Sequence, residues 1–172
     1  MRLIGRFLGV PWAVVGVSAL LLRAIIGLSP RAREAIESGL SIWQWIALVG
    51  FALFMLLAEG YRGFQKKFSP RTAARVKYLR DHPTLLRVLL APIFSMGFFH
   101  ANRKTKLTAY ILTTGIIILV VTVTFFCPDP WRGIIDFGVV LGLSWGLVSF
   151  WIFTIKALTN NNYAHSPETP DT

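Results

Sequence analysis

Four separate stretches of predominantly apolar residues divide this chain, at 7–28, 41–60, 107–127 and 133–157. A helix needs about 20 such residues to cross the roughly 30 Å hydrocarbon core of a membrane, and each stretch meets that length. The first is interrupted only by Arg23. The second carries Glu59 at its end, and the third has no charged residue. The fourth holds Asp136 near its start and Lys156 near its finish. Four such windows in 172 residues cannot all be buried in one small soluble core. The composition agrees, with 54% hydrophobic and only 15% charged residues. That apolar content excludes a disordered chain. A single cysteine, Cys127, excludes a disulfide-stapled secreted domain and an internal redox pair. The expected fold is all-α, a polytopic membrane protein of four transmembrane helices. Residues 1–158 form one membrane-embedded domain, followed by a flexible polar tail over 159–172.

A fifth apolar run, 85–99, is too short for a comfortable crossing, at about 22 Å of helix. It also carries Arg87 in its first turn and Pro92 at its middle, where proline removes a helical hydrogen bond. A short re-entrant or interfacial helix is expected there. Charge placement agrees with this reading, because Lys and Arg collect on the cytoplasmic side of short loops. With four spans and both termini inside, the cations outside are Arg23, Arg31, Arg33 and Arg132, and the other fourteen, from Arg2 and Arg6 to Lys156, lie inside. A fifth span would reduce the split to eleven against seven. The basic start MRLIGR followed by an apolar run has the outline of a secretory signal, but Arg23 breaks its far end. No small-x-small cleavage site follows, so an uncleaved signal anchor is expected. The expected location is the cell membrane, of bacterial inner-membrane type.

Eleven of the eighteen cations fall between residues 61 and 106, the expected cytoplasmic segment. Ser69-Pro70 has the form of a helix start and Pro83 of a stop, with Ala73, Val76 and Leu79 as a narrow apolar stripe. Arg71 and Arg75 lie opposite that stripe. Juxtamembrane clusters of this density attract anionic headgroups by about 1 kcal/mol per cation. The candidate contact residues for lipid or a partner are Arg62, Lys66, Lys67, Arg71, Arg75, Lys77, Arg80, Arg103, Lys104 and Lys106. Aromatics are interleaved with them, but no nucleic-acid-binding module pattern is present, so no nucleic acid is expected.

Ionisable groups inside a bilayer default to functional roles. Arg23 and Asp136 each sit about a turn from the outer ends of their windows, where they could form an intramembrane ion pair. Glu59 stands beside Arg62 and is expected to answer that local cation. Gly138, Gly142 and Gly146 recur every four residues, a face that lets another helix approach closely. Trp145, near the middle of the same window, would seek a partner for its indole N–H, with Thr113, Thr114, Thr122 and Thr124 as candidates.

No nucleophile–base constellation, phosphate-binding loop or metal-ligand spacing is visible. His82 and His100 are expected at the cytoplasmic edge and His165 in the tail, none of them mid-span. No enzymatic activity, cofactor or metal is therefore expected. The sequence supports a small integral inner-membrane protein acting as an accessory, assembly or regulatory component through protein and anionic-lipid contacts. Its partner would be another membrane protein or a second copy. The alternative is a small oligomeric transporter or channel.

Overall fold

A computed structural model of the protein describes residues 5–170, with side chains from Phe7 onward. Arg2 and the side chain of Arg6, both counted above, lie outside that description. Every regular element among the described residues is helical. We label them α1 (Phe7–Glu37), α2 (Ile42–Asp81), α3 (Leu85–Leu89), α4 (Ala91–Met96), α5 (Arg103–Phe126) and α6 (Trp131–Thr159). Four of these, α1, α2, α5 and α6, are long and apolar enough to cross a membrane.

Local chemistry explains most boundaries. Pro11 occupies the first turn of regular α-helix in α1, where a missing N–H costs nothing. The chain leaves α1 through Gly39, whose φ of +79° is a left-handed stop that favours glycine. The next helix opens with a capping interaction in which the Ser41 backbone N–H donates to Gln44 Oε1 at 2.8 Å. At the start of α5 the Thr105 N–H donates to Asn102 Oδ1 at 2.9 Å.

Two helices run further than their apolar windows. Ser29-Pro30 has the look of a stop, yet α1 continues to Glu37, because Ala32 and Ala35 are buried and Ala35 packs on Gly133 of α6. Likewise Ser69-Pro70 does not begin a new helix. It lies inside the 40-residue α2, about 60 Å long at 1.5 Å per residue. The stretch Leu56–Phe68 is wound with widened, i to i−5 turns. The last N–H before the proline, that of Ser69, donates five residues back to Phe64 O. Regular winding resumes at Ser69, where Pro70 has no N–H to offer.

The short run 85–99 forms α3 and α4, five and six residues long, and neither reaches across a membrane. Pro92 packs against Gly16 of α1, and Trp12 Nε1 donates to Leu89 O at 3.0 Å. The segment thus folds back along the N-terminal half of α1, and Gly97 ends it at φ +92°. No fifth helix of spanning length exists among the described residues.

α6 is the central element, in contact with both α1 and α2. It runs antiparallel to α1: Gly133 faces Ala35 at one end, while at the other Gly9 lies beside Leu79, whose neighbour Arg80 donates to Leu158 O. It runs parallel to α2, with Gly138 against Phe51 and Gly146 against Phe64. The core where these helices meet α4 holds Val17, Val76, Leu79, Phe94 and Phe150, each at most 1% exposed. The expected stripe Ala73, Val76 and Leu79 is therefore interior, fully buried at all three positions.

The three glycines do serve packing, but as notches filled by large side chains of α2. A Cβ added at Gly138 would stand 2.5 Å from the Phe51 ring, at Gly142 2.9 Å from Glu59 Oε2, and at Gly146 2.5 Å from the Phe64 ring. The side chains of α2 thus fit closely against the backbone of α6 at all three positions. Gly146→Leu is accordingly expected to lower stability by about 1–3 kcal/mol, the usual range for overpacking. Thermal unfolding in mild detergent checks this, with Val148→Leu on the exposed face of α6 as the silent control.

Candidate functional site

The widened stretch of α2 carries the polar residues that the helix core would not otherwise accept. Wide-turn helical segments insert an extra residue per turn and turn side chains toward directions a regular helix cannot reach; they recur at functional sites. Here Gln65 faces α6 and its Oε1 accepts from Trp145 Nε1 at 2.8 Å, so the indole finds α2 rather than the threonines of α5. Glu59, six residues earlier, presses Oε2 into the Gly142 notch with no hydrogen-bond donor. Gly142 lies 11 residues in from the Trp131 end of α6 and 17 from the Thr159 end, so Glu59 meets α6 far from either of its ends. The expected pairing with Arg62 is not made.

Two cavities flank this stretch. One, of about 680 Å³, lies along α6 between Leu56, Gln65, Trp145 and Lys156. The other, of about 260 Å³, lies between α5 and the rest of the bundle, walled by Leu21, Phe64, Phe68, Phe98, Leu112 and Ile116. Glu59 and Arg71 are its two charged residues.

Beyond the cavities, a layer of cations holds the C-terminal ends of α2 and α6, the segment 94–100 and the chain's own tail together. Arg75 is fully buried. Its Nε donates to Phe94 O at 2.7 Å, Nη1 to Pro167 O at 2.8 Å, and Nη2 to Phe99 O and His100 O at 2.8 and 3.1 Å. The guanidinium also rests 4.2 Å from the Phe94 ring centroid, a cation–π contact. Lys77 Nζ donates to Asn160 O and Asn161 O, both at 2.7 Å, and Arg80 Nη1 to Leu158 O at 3.0 Å. Those carbonyls close the C-terminus of α6, where unpaired acceptors and the helix dipole favour cations.

The tail, expected to be flexible, is docked by these same bonds. Tyr163 OH donates to Pro70 O at 3.1 Å, and burial pushes that phenol up to about 12, leaving it a neutral donor at ordinary pH. The Thr105 hydroxyl bonds the Glu168 carboxylate, the Asn102 N–H donates to Glu168 O at 2.9 Å, and Arg71 approaches Glu168 at 3.8 Å. Thr169 is fully buried. The polar composition of the tail conceals this because its main-chain carbonyls, which composition does not register, make most of the contacts.

The expected contact patch of ten cations is thereby divided. Arg75, Lys77 and Arg80 are engaged internally by hydrogen bonds, Arg71 faces Glu168 at 3.8 Å without one, Lys106 is half-buried, and Arg62, Lys66, Lys67, Arg103 and Lys104 remain exposed. The structure does not bring Arg23 and Asp136 together. Asp136 is 5% exposed with Oδ2 unpaired, and the cations whose charge reaches it are Arg132 and Arg31. Arg31 is next to it because α6 starts against the Arg31–Ala35 turn; Arg23 lies eight residues back, about 12 Å along α1, and is exposed. The histidine rings take separate places, with His82 stacked on Tyr78, His100 against Phe99 and His165 against Tyr163 and Phe153. No group of three or more side chains able to hold a metal occurs among the described residues. Gln65 and Glu168 are the residues that sequence reasoning missed. Nothing local in the sequence marked either, since both act through contacts with distant segments.

No protein-family model, curated protein or solved structure matches the chain.

Removing the Arg75 guanidinium strands four carbonyls from three segments. Arg75→Gln is expected to reduce stability by about 3 kcal/mol or more, the scale of a buried charged hydrogen-bond centre. It should also expose residues 160–170 to proteinase K. Mass spectrometry of the digest checks this, and a tail cut no faster than in the wild type would contradict the docking role.

Proposed function

We propose that this protein is a four-span, multi-pass component of a bacterial inner membrane with both termini cytoplasmic. Residues 85–99 dip into the inner leaflet without crossing. Its role is that of an accessory or assembly factor acting through protein and anionic-lipid contacts of its basic face. The observation that carries this reading is the division of the cations. One set, centred on the buried Arg75, bonds internally and ties helix ends to the tail. The other, Arg62, Lys66, Lys67, Arg103 and Lys104, stands exposed. A surface of exposed cations on a fixed support suits contact with anionic headgroups, each cation adding about 1 kcal/mol near such a surface. α5 supports the protein-contact half of the reading, since Thr105 and Ala109 are its only buried residues.

Two measurements test this. Cys127, at the far end of α5, should react with a membrane-impermeant maleimide added outside intact cells; reaction only after the inner face is opened would reverse the orientation. Changing Arg62, Lys66, Lys67, Arg103 and Lys104 together to Gln should strip most of the salt-sensitive anionic lipid that co-purifies with the protein, without lowering its melting temperature.

A second reading, a small oligomeric transporter, draws on Asp136 and Glu59, two carboxylates with an unpaired oxygen inside apolar helices. Mild-detergent purification separates the two. A different membrane protein retained in fixed ratio supports the accessory role, whereas a closed ring of this chain alone supports transport.

A further inference from the structure

Arg71 differs from the other half-buried and buried arginines near it. Its side chain is only 17% exposed, yet its one partner, Glu168, stands at 3.8 Å, too far for a hydrogen bond. The Glu168 carboxylate is itself bonded by the Thr105 hydroxyl. Arg75, one turn on, donates four hydrogen bonds, and Arg80 donates to both Leu158 O and Asp81. The planar guanidinium of Arg71 thus keeps its donors unused, at the edge of the 260 Å³ cavity. Such a fork matches phosphate oxygens in pairs.

The cavity has the depth of one leaflet. Glu168 joins Arg71 to Thr105, so the guanidinium is level with the start of α5, where the apolar run begins at Leu107. Its far end is marked by Ile116, eleven residues beyond Thr105. That is about 17 Å of helix, against about 15 Å for half a bilayer core. Between those ends the walls are Leu21, Phe64, Phe68, Phe98 and Leu112, while Glu59 at the deep wall turns Oε2 away into the Gly142 notch. We propose that this cavity holds one acyl chain of an anionic phospholipid, with Arg71 gripping the headgroup phosphate in the place that Glu168 now shares. The proposal rests on the lipid-facing orientation argued above for the basic segment. It sharpens that reading from a diffuse cationic surface to a single built site, in which Glu168 competes with the lipid for Arg71.

The test is lipid retention by the full-length protein, reconstituted in phosphatidylcholine containing phosphatidylglycerol, released into detergent and weighed by native mass spectrometry. The wild type is expected to keep one phosphatidylglycerol in preference to phosphatidylcholine. Arg71→Gln should lower that retention about tenfold, as loss of one charged phosphate pair implies. Glu168→Gln removes the competing charge but keeps an acceptor for Thr105, and should raise retention about threefold. Ala109→Phe, which fills the cavity and leaves Arg71 in place, should lower retention as Arg71→Gln does. If Arg71→Gln fails to fold, the last two variants still decide. Retention unchanged in both Glu168→Gln and Ala109→Phe overturns the site. Should the five-fold surface variant abolish retention while Ala109→Phe leaves it intact, the cavity is wrong and the surface reading stands. The opposite pattern leaves the cavity standing and removes the surface reading.

Discussion

A guanidinium sealed from water must have its N–H groups satisfied, and Arg75 meets that requirement with carbonyls alone. No carboxylate forms an ion pair with it among the described residues. Its acceptors come from α4, from the turn after it and from the tail, and it stacks on Phe94 of the core. Desolvating such a charge is expensive unless every donor finds a partner, so the three segments are held in one arrangement. The rest of the layer follows from that arrangement. With the tail fixed by Arg75, Asn160 and Asn161 fall within reach of Lys77, and Glu168 falls between Arg71 and Thr105.

The apolar windows were legible because length and lack of charge are properties of a short stretch of chain. Helix ends were less so. Ser29-Pro30 and Ser69-Pro70 carry the local chemistry of a break, but burial of Ala32, Ala35, Thr72 and Val76 outweighs it, and the widened turns before Pro70 let the helix pass. The side chains that face the glycine repeat, Phe51, Glu59 and Phe64, depend on the register of α2 against α6. That register includes the 13-residue widened stretch, which no spacing rule in the sequence reveals.

Cation counting had a similar boundary. The number of Lys and Arg in a segment bears on which side it occupies, since that rule adds up charge without regard to contacts. It does not say which cations stay in solvent. Arg71 and Arg75 sit one turn apart on the same helix face, and one is saturated while the other is nearly free. The difference lies in where the carbonyls of residues 94–100 and 167 end up, a matter of tertiary structure.

The attachment of α5 has a mechanical consequence. Three helices pack along their length, whereas α5 is fastened to the rest near Thr105 and Ala109, with Arg132 touching Thr124 across the turn into α6. Helices accommodate a change in bilayer thickness by tilting, at fractions of a kcal/mol per Å of mismatch. In this molecule α5, with Thr105 and Ala109 as its only buried residues, is the helix whose lean the rest of the bundle opposes least. The 260 Å³ cavity is walled on one side by that same helix, so its width follows from how α5 stands against the other three.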